Sequence, residues 1–87
     1  MDEEVNGAQE DKVDYDRAEM ARLTRLALRG RKIRSGAKEM GLSESTVSKL
    51  TRGDLKSRPS VDTLRKLNTD NPPELLRRML EACQYPQ

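Results

Sequence analysis

The residue types that run catalysis are scarce in this 87-residue chain. It has no histidine, and Cys83 is its only cysteine. A lone thiol with no candidate base is neither an activated nucleophile nor a metal site, and it leaves no internal disulfide. No glycine-rich phosphate loop follows a strand pattern, and nothing pairs carboxylates on an evident concave surface. No enzyme activity, cofactor or metal is therefore expected. What remains is hydrogen-bonding and ionic chemistry, concentrated in the stretch ESTVSKLTR. There Ser45, Ser48, Lys49 and Arg52 fall on faces other than the one shared by Val47 and Leu50. Hydroxyls and cations displayed along one side of a helix suit a polyanion with hydrogen-bonding edges.

Two short helices with a tight corner must position that set. Ile33, Ala37 and Met40 recur at helical spacing and share one face. Gly41 can leave right-handed geometry through a positive φ without steric cost. Leu42 can plug the corner, Ser43 is a good N-cap, and Gly53 closes the second helix. Ala37 stands four before Gly41, ten before Val47 and thirteen before Leu50. A small residue at the crossing, a glycine corner and two later apolar anchors are the spacing of a helix-turn-helix. That geometry presents a polar helix face to the major groove of DNA.

The run IRSGAKEMGLSESTVSKLTR resembles the helix-turn-helix of the phage-repressor/Cro-like (Xre-type, lambda-repressor-like) DNA-binding family. The later phrase RPSVDTLRKL is similar to the family's fourth helix. The resemblance implies an all-α, compact five-helix lambda-repressor-like bundle. It also implies that the helix over about 44–52 is the recognition helix. Its start and outward face would read base edges, and carried over position by position this falls on Glu44, Ser45, Ser48 and Lys49. Lysine can donate to guanine O6 and N7, glutamate can accept from the cytosine amino group, and serine adapts to either. Glu44 is equally well placed to complement the helix dipole. Thr46 is expected at a phosphate or a thymine methyl, and Arg52 nearer the backbone. In the family the segment after the recognition helix runs along phosphates, a role matched by Lys56 and Arg58. Two residues depart from the family pattern. Ile33 stands where glutamine often contacts a phosphate, which shifts clamping to Lys32, Arg34 or backbone amides. Gly36 stands where a bulky aliphatic is common, which thins the core.

The rest of the chain fits around this pair. Residues 1–13 are polar and acidic and are expected to be a flexible, disordered arm, leaving 14–87 as the DNA-binding domain. Asp14 or Asp16 can cap a first helix running to about Arg29, where Gly30 breaks it. Ala18, Met20, Ala21, Leu23, Leu26 and Ala27 form its apolar stripe. Ser60 is a candidate cap for a helix carrying Val61, Leu64 and Leu67. Asn71 can cap a last helix with Pro72 at its first position, and Leu75, Leu76, Met79 and Leu80 line it to about Cys83.

Charge is unevenly spread. Residues 1–16 hold seven acids and one base, whereas residues 17–87 hold sixteen bases and eight acids. A basic body suits a nucleic acid. With 33% hydrophobic residues and neither Phe nor Trp, the core must come from Leu, Met, Val, Ile and Ala. No apolar run of membrane-spanning length or charged-then-apolar signal segment occurs, so a cytoplasmic protein is expected. The reading that follows is a sequence-specific regulator of double-stranded DNA, such as a bacterial, phage or plasmid repressor. It would act as a homodimer on a palindromic site. Two alternatives remain: a protein-interaction module, such as an antitoxin or docking domain using the C-terminal helix, and the DNA-reading domain of a larger regulator.

Overall fold

Capping chemistry decides where most of the helices begin. The computed structural model describes residues 14–86, where the chain forms α1 (Arg17–Leu28), α2 (Ile33–Met40), α3 (Glu44–Arg52), α4 (Val61–Leu67) and α5 (Pro73–Ala82), with no strand among the described residues. The expected acidic arm over 1–13 lies outside them. Asp16, Ser43 and Ser60 each accept a hydrogen bond from the backbone N–H three residues on, which starts α1, α3 and α4. Gly41 and Gly53 end α2 and α3 in left-handed conformations, at φ 75° and 71°. A side chain at either position would be strained. The Leu42 N–H then reaches back to the Ala37 carbonyl at 2.9 Å, and the Asp54 N–H to that of Lys49 at 2.8 Å. These bonds satisfy carbonyls that a helix end leaves open.

The core is aliphatic. Met20, Leu23, Val47, Leu64, Leu67, Met79 and Cys83 are fully buried, with Leu50 and Ala37 nearly so. α1 is the central post, packing mainly on α3 and α5, while α2 packs on α3 and α4 on α5. Met20, Leu23 and Ala27 recur at helical spacing and supply the face that α3 and α5 cover. Leu75, Leu76 and Leu80 are half-buried and flank Met79 rather than joining it in the interior.

α1 ends at Leu28, within a residue of the expected end, and Arg29 takes the left-handed cap at φ 54° before Gly30 continues the turn. Three expectations are corrected. Leu26 is 51% exposed and Ala18 is exposed too, while Thr24 and Leu28 take inward places. Thr24 avoids an unsatisfied hydroxyl by donating to the Met20 carbonyl at 2.7 Å. Asn71 does not cap α5: Pro72 is the N-cap and Pro73 the first helical residue. The Asn71 amide instead donates to the carbonyls of Ala27 and Leu67, both at 3.2 Å. Finally, Gly36 does not thin the core. Leu28 reaches across from α1, and a Cβ on Gly36 would stand 2.3 Å from Leu28 Cδ2.

Candidate nucleic-acid interface

Val47, Leu50 and Thr51 are the buried residues of α3. Their burial turns the opposite side outward. Glu44, Ser45 and Lys49 are exposed, and Ser48 is half-buried at the margin. Glu44 lies 3.9 Å from Arg34 Nε, which connects the first turn of α3 to that of α2. Both side chains are largely exposed, so this pair contributes little and another anion can displace it. Thr46 is half-buried, and its hydroxyl accepts from Ser43 Oγ at 2.7 Å. That bond belongs to the α3 cap, alongside the Thr46 N–H donating to Ser43 Oγ at 3.1 Å.

The cations expected at phosphates do not share one fate. Lys32, Arg34, Arg52 and Lys56 are exposed. Lys32 is the N-cap residue of α2 and makes no side-chain cap bond. Arg52 leans on Asp54, with Nε 3.2 Å from Oδ2, and both remain exposed. Arg58 is placed differently. Its guanidinium carbon sits 4.0 Å from the Tyr85 ring centroid, and Nη1 donates to the Cys83 carbonyl at 3.3 Å. Arg58 is thus half-buried against the C-terminal turn, not displayed with the other four. Arg31, in the basic run before α2, is also occupied. It donates to the Leu28 carbonyl at 2.7 Å and the Ala27 carbonyl at 3.0 Å, and pairs with Glu39. Arg25 is exposed but also donates to the Thr51 carbonyl at 3.0 Å and so ties α1 to the last turn of α3.

Two tyrosines that the sequence did not mark hold the α3–α4 loop. Tyr15 is buried and donates its hydroxyl to the Leu55 carbonyl. Burial, then the nearby Cys83 thiol, pushes its pKa above the ordinary tyrosine value, partly offset by Arg17. Tyr85 donates to the Pro59 carbonyl at 2.6 Å. The loop carrying Lys56 is therefore anchored from residues flanking both ends of the helical body. Aromatics just outside the periodic segments were the only sequence signal for this.

Crossed helices with a left-handed glycine corner and an exposed polar face on the second helix define a helix-turn-helix module. A family model for this motif matches residues 18–69, well over half of the chain. The chain belongs to the Cro/C1-type, Xre-like helix-turn-helix family, whose members bind double-stranded DNA and regulate transcription. It is thus a DNA-binding helix-turn-helix regulator, of a family that is generally non-enzymatic. Comparison with curated proteins and with solved structures found no match. Among the described residues no helix is long and apolar enough to cross a membrane.

Proposed function

We propose that this protein is a sequence-specific repressor that reads the major groove with α3, residues 14–87 forming the DNA-binding domain. The observation that carries the reading is the outward face of α3. Glu44, Ser45 and Lys49 are exposed with Ser48 at their edge, and the exposed cations Lys32, Arg34, Arg52 and Lys56 flank them in sequence on both sides. In this reading Glu44, Ser45, Ser48 and Lys49 select base pairs. The four flanking cations supply affinity by neutralising phosphates, without regard to sequence. The uncapped first turn of α2 adds backbone amides beside Lys32 and Arg34. Thr46 contributes through the cap that sets the start of α3, and Arg58 through the loop it holds.

A module this small reads few base pairs, so two copies on a palindromic site are expected. The open groove between α1 and α5 supports a contact between copies. Leu26 and Leu75 line it together with Arg29, Arg78 and Glu74. Both signs of charge around an apolar centre allow a two-fold contact to pair each patch with itself. A protein bound in this way represses by occupying the site.

Selecting bound duplexes from a random pool tests the reading, and two-fold symmetric sites are the expected outcome. Titrations then separate the roles. Lys49→Ala should narrow the gap between selected and scrambled duplexes by about 1–3 kcal/mol. Lys56→Ala should weaken both alike and reduce the salt slope by about 1. Equal losses on both duplexes for Lys49→Ala would remove α3 as the reader.

A further inference from the structure

The start of α1 lies against the end of α3 and the loop after it. Tyr15 donates its hydroxyl to the Leu55 carbonyl. The Gly53 backbone neighbours that of Arg17, leaving room for no more than an ordinary contact between a Cβ there and the Arg17 carbonyl oxygen. Whatever precedes residue 14 therefore leaves the body beside the C-terminal end of α3. Exposed on these segments are Arg17, Lys49, Arg52 and Lys56. Asp54 sits 3.2 Å from Arg52 there, an exposed pair that another anion can displace.

Residues 1–13 carry Asp2, Glu3, Glu4, Glu10 and Asp11 against a single base, Lys12. Glu10 and Asp11 lie within five residues of Tyr15. A stretch from residue 2 to residue 13 spans at most about 40 Å, and the nine residues of α3 extend only about 14 Å. The segment's length is enough for the acids at 10 and 11 to reach the loop and for those at 2–4 to reach the outward face of α3. At physiological salt, opposite charges attract appreciably only within about 8 Å. Tethering keeps such a segment at an effective concentration of roughly millimolar.

We propose that the acidic segment of residues 2–11 docks on the basic edge formed by Lys49, Arg52 and Lys56 and competes there with DNA phosphates. The competition rests on α3 being the DNA-reading face; the docking does not. Salt weakens the docked segment as well as the DNA contacts. The affinity of the full chain for DNA therefore falls with salt less steeply than its exposed cations alone dictate.

The test keeps the full chain. Changing Glu3→Gln, Glu4→Gln, Glu10→Gln and Asp11→Asn together should tighten duplex binding about tenfold at 0.1 M salt and steepen the salt slope by about 2, as for two regained phosphate contacts. A control with Glu19→Gln, Asp62→Asn, Asp70→Asn and Glu81→Gln changes net charge equally on α1, α4, α5 and the turn between the last two. Equal gains from both variants would reduce the effect to net charge and overturn the proposal. Docking itself is read without DNA, using a nitroxide attached through Ala8→Cys. The buried Cys83 thiol, pushed up to about 11, stays unlabelled. Broadening of amides over residues 49–56 that disappears in the four-acid variant is expected. Broadening that is absent, or equal over all five helices, would refute docking. Docking in a chain that binds no duplex would instead sink the reading of α3.

Discussion

Gly36 shows how much a single residue depends on its neighbour. Read locally it is a weak helix former standing where a larger side chain would fill the core. In the structure that space is taken by Leu28 from α1, itself only 5% exposed. Ala is intrinsically better in a helix by about 1 kcal/mol, yet Gly36→Ala should destabilise by about 1–2 kcal/mol, because its Cβ overpacks against Leu28. The cost should shrink when Leu28→Ala is already present, a coupling that denaturant titrations of the double-mutant cycle would measure. Additive losses would mean that Leu28 moves aside freely. Tyr15 and Arg58 carry the same lesson. Tyr15 precedes any helical period, so its burial depends on a loop forty residues away. Arg58 has a long amphipathic side chain that can face a phosphate or an aromatic ring, and the positions of Tyr85 and the Cys83 carbonyl favour the ring.

The helix boundaries were more legible than the residues on them. The ranges of α2, α3 and α4 agree with the sequence reading because caps act within three or four residues. The Ser43 side chain caps α3 both through the Thr46 N–H and through the Thr46 hydroxyl. Ser43→Ala should therefore cost about 1 kcal/mol and lower the melting temperature by about 4–8 °C. Gly in its place should cost only a few tenths, which thermal unfolding of the two variants distinguishes. An alanine variant as stable as the parent would show that tertiary packing alone holds α3. The end of α1 and the start of α5, the second of which differs from expectation, have physical causes. Arg29 adopts φ 54°, a conformation disfavoured for a side chain, because helix termination there also places Gly30 and Arg31 to turn toward α2. At α5 two consecutive prolines allow either to be the first helical residue, and bonding of the Asn71 amide to α1 and α4 selects Pro73.

At the scale of the whole molecule, both ends of the helical body close over the α3–α4 loop, and two acidic protons are buried in that closure. Desolvation raises the Cys83 thiol from its usual 9.0 to about 11, an effect that Arg58 partly opposes, and also raises Tyr15. A raised folded-state pKa means that the native protein holds the proton more tightly than the unfolded chain. The stability it contributes is whole below the unfolded value and disappears as pH rises through the folded one. Guanidinium midpoints should thus stay level in this respect up to about pH 9 and fall steadily toward pH 11. Cys83→Ala, although it leaves a small void, should lose the thiol's share of that slope and keep the tyrosine's. An unchanged slope in this variant would assign the alkaline loss elsewhere.

Three things were determined by the sequence alone: the all-helical class, the crossed pair around Gly41, and the outward placement of Ser45 and Lys49. Each follows from interactions within a few residues, namely apolar period, capping and the φ that glycine allows. Only the tertiary structure decided which arginines remain available to a partner, which tyrosines hold the loop, and why Gly36 has no side chain. These depend on groups brought together from distant parts of the chain. Their energies arise from burial and hydrogen bonds that exist only once α1, α3 and α5 have packed.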